Sequence, residues 1–350
     1  VLGYFHKSAS RTTKFRFETM SAKQLDLLII GAGPAGLSAA DAAAREGLDY
    51  LVVEKGLIAQ TIFDYPIGRT VFSTPNELEM REGALKPCRE KPTREELLSH
   101  YVHFALEQNL RINTEEEVLS VDQLEDARFL VRTNRNEYNA ARILFAIGAM
   151  AKARKLCVPG EELPKVQHSF REPYPYVRKN VMVIGGGNSA AEAALFLVEE
   201  GANTTLAIWR SDWENRDPKK NAIKHWVRTP LDAYINEGKL KLVLMKEIVE
   251  ITEAEVKILA DSGELIGLPN DAVFVLIGCD ADLSLLRKLG VETEPAGFTE
   301  IPVYDPETFE TDVAGIYVAG HFTHARHIKA AIEAPRRIIA RMAQDMRQRT

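Results

Sequence analysis

The pattern GxGxx(G/A) occurs twice, as GAGPAG from Gly31 and as GGGNSA from Gly185, each between an apolar run and an alanine-rich run. An uninterrupted run such as LDLLII or VMVI reads as a central strand buried on both faces. The glycines turn the chain sharply, the alanine-rich run continues as a helix, and a second strand follows, DYLVVE in one copy and TTLAIW in the other. That is a βαβ unit. The copies also end alike. RINTEEEVLSV, ARFLVRT and EYNAA precede the apolar strand ILFAIG, and KLVLMKEIVEI, AEVKILA and ELIGL precede VFVLIG. An internal repeat of about 150 residues makes the chain α/β, with two Rossmann-like dinucleotide-binding domains of three-layer ββα build.

In the first copy Gly31 permits the tight turn, Gly33 lets the backbone approach a pyrophosphate, and Gly36 lets helix pack on strand. The helix then presents unpaired N–H groups to the phosphates. Glu54 closes the second strand, placed to accept hydrogen bonds from both ribose hydroxyls. In the second copy Gly185, Gly187 and Ala190 hold the three positions, with Asn188 and Ser189 in the loop, and the second strand ends in Trp209 and Arg210. A guanidinium there can grip a 2′-phosphate that a carboxylate would repel, so NADPH is expected rather than NADH. Arg216 and Lys219 are weaker candidates for the same role.

The composition, 45% hydrophobic and 27% charged, is that of a soluble globular protein, and the net charge of −6 argues against a nucleic-acid partner. Cys88, Cys157 and Cys279 are odd in number and far apart, with no CxxC, which suits a reducing cytosol. The apolar stretches 27–44 and 181–198 are broken by glycine clusters, so no membrane span is expected. The first 19 residues are basic and hydroxyl-rich and run into Met20; a mis-assigned start or a disordered tail is favoured over a targeting peptide.

Two dinucleotide units, one nested in the other, resemble the two-domain flavoprotein reductases related to low-molecular-weight thioredoxin reductase. The resemblance spans about residues 24–345 and implies FAD on the first fingerprint and NADPH on the second. It implies an FAD domain over 20–152 and 278–350, an NADPH domain inserted over 153–277, and an N-terminal extension over 1–19. The segment TDVAGIYVAGHF (311–322) would return to the flavin through Gly320 and His321. The helix from about Ile328 would point its N-terminus at the flavin. Pro34, Ala35, Lys55, Gln60 and Val118 carry over as further FAD contacts. Family relatives rotate the NADPH domain, with hinges implied here near 152–178 and 272–282. Where thioredoxin reductases carry CxxC, this chain has His168 and Arg171, so thiolate exchange with thioredoxin is excluded.

IAQTIFDYPIGRTVFSTPN (58–76), especially Tyr65, Pro66, Phe72 and Ser73, with HSFREPYPY and PVYDPETFETDVAGIYVAG, is similar to the YpdA-type bacillithiol-disulfide reductases. That branch often carries a cysteine inside the first fingerprint; here the position is Ala35.

The resemblance therefore implies an NADPH-dependent FAD reductase acting without a dithiol on a small-molecule disulfide such as bacillithiol disulfide. A small redox protein is the other acceptor class, as in the thioredoxin-reductase-type ferredoxin or flavodoxin reductases. A flavoprotein sensor that binds NADPH and turns over little is the non-enzymatic alternative. His321, His324 and His327 are spaced i, i+3, i+6; flavin lining is favoured over a metal site, and His324 or His327 is the candidate proton relay. The three cysteines read as structural. Tyr65, Tyr174 and Tyr176 are candidates for ring stacking, against a default of core packing. RRIIARMAQDMRQR reads as a helix with one apolar face, a region that in the family lies near a homodimer interface.

Overall fold

The structure is a computed structural model that describes residues 23–217 and 222–349. The expectations for residues 1–19 and for Lys219 lie outside the described residues. Strand β1 (Lys23–Ile30), helix α1 (Pro34–Glu46) and strand β2 (Tyr50–Val53) form the first βαβ arm. Pro34 opens α1, where its missing N–H costs nothing, and Gly47 closes it at φ 73°. The chain continues through α2 (Gln60–Phe63), α3 (Pro75–Leu78), α4 (Arg94–Glu107) and β3 (Ile112–Asn113) to the antiparallel strands β4 (Val118–Gln123), β5 (Phe129–Thr133) and β6 (Glu137–Phe145). The segment EYNAA and the first three residues of ILFAIG, separate in the sequence reading, are one strand. Both pair in parallel with β1, from Lys23 against Tyr138 to Ile30 against Phe145.

The short strands β7 (Lys152–Ala153) and β8 (Val166–Gln167) lead into β9 (Asn180–Ile184), α5 (Asn188–Glu199) and β10 (Asn203–Trp209). After α6 (Arg210–Glu214) and α7 (His225–Asn236) come β11 (Leu240–Ile251), β12 (Glu255–Ala260), β13 (Leu265–Pro269) and β14 (Ala272–Val275). This second sheet runs β13-β12-β11-β10-β9-β14-β8. The chain then crosses back through β15 (Cys279–Asp280), antiparallel to β7, so both crossings lie side by side in one ribbon. Arg154 clamps the ribbon by donating to both carboxylate oxygens of Asp280 at 2.9 and 2.6 Å. Helix α8 (Ser284–Lys288) and the hairpin β16 (Thr293–Ala296) and β17 (Thr299–Pro302) follow. Strand β18 (Ile316–Val318) then joins β6 of the first sheet, before α9 (Ile328–Arg349).

Alternation along the central strands builds the layers. Leu27 and Ile29 face α1 and α9, while Leu28 and Ile30 face Phe129, Val131 and α8. In the second sheet Val181 and Val183 face α5 and α7, and Met182 and Ile184 face the β11–β12 side. The apolar face of α9 is spent inside its own layer, where Ile338, Ile339 and Met342 pack on the core around Ala39 and Ala43 of α1.

Candidate active site

The loop after β1 is held open by backbone geometry. Gly31 sits at φ 107°, and a Cβ on Gly36 would lie 1.8 Å from the Gly31 carbonyl oxygen. A Cβ on Gly33 would meet no protein atom within 4 Å, so the space above it is available to a ligand. Glu54, almost fully buried, accepts from the N–H of Ala32 and of Gly56, each at 2.7 Å. Each of its oxygens keeps a second lone pair, which suits a pair of ribose hydroxyls. The chemistry of a dinucleotide's pyrophosphate and ribose fits this donor and acceptor set. The second cradle repeats the plan, with Gly185 at φ 153° and α5 starting behind Gly187. The middle glycine, Gly186, makes room for the Asp212 carboxylate, whose oxygen lies 2.0 Å from where a Cβ would stand.

One cavity of about 880 Å³ joins the two units. On the first-sheet side it is lined by Gly31, Gly33, Pro34, Ala35, Glu54 and Lys55, and farther along by Gln60, Val118, Gly320 and His321. On the second-sheet side Asn188, Glu192, Lys224 and Trp226 complete it. Gly36 is buried in the first turn of α1, where its role is packing against the Gly31 loop. Gly185, Gly187, Ser189, Ala190, Trp209 and Arg210 lie outside that cavity, around the start of α5 and the end of β10. Trp209 donates its indole N–H to the Lys246 carbonyl at 3.1 Å. Arg210 is held by Asp261 and Glu214.

The three histidines separate. His321 and His327 line the cavity, and burial pushes the His321 imidazole below its ordinary value, with Arg326 and His327 adding to the effect, so it is neutral at pH 7. His324 is 66% exposed, lies 3.8 Å from a Glu294 oxygen and does not line the cavity. Among the described residues no three His, Cys, Asp or Glu side chains converge as a metal site. Tyr65 lines the cavity beneath the Arg69 guanidinium. Tyr174 is exposed, and Tyr176 packs edge-on against Phe274; neither lines it.

Arg69 and Glu192 escaped the sequence reading. Arg69 approaches Glu192 to 2.8 Å across the two units, yet the buried Arg69 Nε and Glu192 Oε2 lack a well-aligned hydrogen bond. Arg69 Nη2 also donates to Glu192 Oε1 at 3.1 Å, so the pair is an ion pair with one hydrogen bond, and the buried Nε is the donor left over. Burial pushes the Glu192 carboxyl up, partly offset by Arg69. The available signal was a single acid one turn into an otherwise apolar helix, NSAAEAALF. The segment around Arg69 holds the units together. The N–H of Ile67 donates to the Arg171 carbonyl, the Arg171 guanidinium sits 4.5 Å from the Phe63 ring, and Phe72 stacks on Trp226 at 5.0 Å. Thus Arg171, at a dithiol position of thioredoxin reductases, serves here as a contact between units.

None of the three cysteines lines the cavity. Cys88 and Cys157 are exposed, and burial, then Asp280, pushes the half-buried Cys279 thiol up, away from the reactive thiolate.

The sequence profile of the pyridine nucleotide-disulphide oxidoreductases matches residues 28–320, from β1 through the return to the first sheet. The chain belongs to that family. It is 36% identical over 293 residues to the bacilliredoxin reductase Bdr of Bacillus subtilis, covering 84% of this chain and 88% of the relative. The solved bacillithiol disulfide reductase Bdr (YpdA) of Staphylococcus aureus superposes with a TM-score of 0.86 at 32% identity, over 94% of this chain and 99% of that one. A ferredoxin–NADP reductase of Ignicoccus hospitalis is 28% identical, over 91% of this chain and 94% of the relative. The chain is therefore an FAD- and NADPH-dependent oxidoreductase of the thioredoxin-reductase-like, YpdA-like kind. Among the described residues no helix is long and apolar enough to cross a membrane.

Proposed function

We propose that this enzyme reduces the disulfide of a low-molecular-weight thiol, bacillithiol disulfide or a close analogue, with NADPH and without a protein dithiol. The observation that carries the reading is the cavity that runs from the first fingerprint to Asn188 of the second and is lined by no cysteine. When bound, FAD supplies the two-electron chemistry between nicotinamide and disulfide. The chain positions the partners. The first cradle and Glu54 hold the FAD phosphates and ribose, with Lys55, Gln60, Val118, Gly320 and His321 along its length. The second cradle with Asn188, Ser189, Trp209 and Arg210 holds NADPH.

Arg69 and Glu192 both line the cavity where the two units meet, and their ion pair positions the nicotinamide end of the cofactor there. His327, which lines the cavity, is favoured over His324, which does not, as the group that moves a proton. The bacillithiol disulfide reductases at 32% identity support the disulfide over the ferredoxin reading, which rests on 28%. The three free cysteines suit the reducing cytosol, where such thiols are maintained. The enzyme acts there as a homodimer with an FAD domain over 20–152 and 278–350 and an NADPH domain over 153–277.

The test is anaerobic titration of the purified holoprotein with NADPH and with NADH, followed by oxidised bacillithiol, thioredoxin or ferredoxin. Bleaching of the flavin band by NADPH and reoxidation by bacillithiol disulfide are expected. Reoxidation by ferredoxin alone would transfer the reading to the ferredoxin reductases, and a flavin that stays oxidised would make the protein a sensor.

A further inference from the structure

Arg210 begins α6 at the end of β10, where the second nucleotide's 2′-phosphate would arrive. Its side chain is already engaged. Nε donates to Asp261 Oδ2 at 2.8 Å, and Nη1 donates to Glu214 Oε1 at 2.9 Å. Neither acid is placed by accident of flexibility. Glu214 is one helical turn beyond Arg210, and Asp261 sits in the turn after β12, fixed by its own N–H on the Leu244 carbonyl at 3.0 Å. Leu244 in turn pairs with Ile208, next to the end of β10, so the sheet itself sets Asp261 opposite Arg210.

One guanidinium between two carboxylates leaves the cluster with a net charge of −1. A 2′-phosphate bringing close to two negative charges meets repulsion until the clasp opens. A nucleotide lacking that phosphate never has to open it.

We propose that Asp261 and Glu214 are specificity determinants that compete with the 2′-phosphate for Arg210, and so hold NADPH affinity below what the arginine alone would give. The proposal rests on the reading of Arg210 as the 2′-phosphate ligand. Asp261 is the stronger competitor, because its side chain is 30% exposed against 59% for Glu214. Exposed pairs of this kind are individually weak, so the competition is a matter of a few-fold in affinity.

Calorimetric binding of NADP⁺ and of NAD⁺ to the oxidised holoprotein reads this without turnover. Arg210→Ala is expected to weaken NADP⁺ by about 10-fold or more and to leave NAD⁺ unchanged. Asp261→Asn, close to isosteric, is expected to tighten NADP⁺ by about 2- to 5-fold with NAD⁺ unchanged, and Glu214→Gln to do the same more weakly. In the Arg210→Ala background the gain from Asp261→Asn is expected to shrink, since the competition runs through the arginine and only direct repulsion remains. An unchanged NADP⁺ affinity in Asp261→Asn overturns the proposal. So does a gain that is undiminished without Arg210, which would reduce the acids to general repulsion. If Arg210→Ala itself has no effect, it is the underlying reading of Arg210 that fails.

Discussion

Gly33→Ala separates what the first cradle does for the fold from what it does for a ligand. Gly33 has φ −76° and ψ −175°, extended backbone that alanine adopts freely, and its added Cβ would meet no protein atom within 4 Å. The apoprotein should therefore lose nothing, and a stiffer unfolded chain should add about 0.4–1 kcal/mol to its stability. The methyl group would instead stand where the pyrophosphate must come close. Overpacking of that kind costs about 1–3 kcal/mol, which is about 5- to 150-fold in FAD affinity. Gly36→Ala is the contrasting case. To bring its Cβ from 1.8 Å to 3.0 Å from the Gly31 carbonyl oxygen, the loop must retreat by 1.2 Å, and Gly31 is itself backed by the Ala146 carbonyl. That substitution should lower both the melting temperature and the FAD content. Flavin absorbance after reconstitution, fluorescence titration with FAD, and thermal melts of both apoproteins check the pair. A Gly33→Ala protein that binds FAD within twofold of the parent would refute the placement of the pyrophosphate on this loop.

Glu192→Gln should slow flavin reduction by NADPH in stopped flow by about 10-fold or more, through loss of the Arg69 ion pair at the junction of the cavity. It should also flatten the pH dependence of stability. Burial raises the Glu192 carboxyl above its usual 4.5, so the native parent binds a proton that the unfolded chain releases, and its stability declines as pH rises from 4.5 through the raised value. Denaturant midpoints across that range test it; a parent and variant with parallel slopes would count against the buried acid. Asp282→Asn has the opposite sign. Burial alone would raise Asp282, but the bonds from Lys152 and Ser284 win and hold it at about 2, so its contribution is present above 3.8 and is lost as pH falls through about 2. With side chains 39% and 61% exposed, the Asp282–Lys152 pair is worth at most about 1 kcal/mol, and the parent–variant gap should close over the same descent.

The glycine fingerprints were legible because backbone sterics leave few substitutes at Gly31, Gly36 and Gly185, and because central strands advertise burial on both faces. The join of EYNAA to ILFAIG was hidden, since β6 lies between β1 and β5 over its first half and between β1 and β18 over its second, where the alternation stops. Arg69 and Glu192 were hidden for a different reason. Their meaning lies in a contact across 123 positions, and nothing local marks a loop arginine as the partner of a helix acid. His324 and His327 looked equivalent by spacing; both are exposed, but only His327 borders the cavity, while His324 faces Glu294. The competition around Arg210 likewise depends on Asp261, 51 positions away.

The ribbon of β7 and β15 means that the inserted unit begins and ends at a single point, with Ala153 directly opposite Cys279. A guest module whose two ends meet adds almost no ring-closure penalty to its host. Excising the segment between these strands and sealing the gap with a tight turn should leave a miniature protein that still takes up its flavin. The same stitch is the natural place to graft a different nucleotide module onto an unchanged flavin platform.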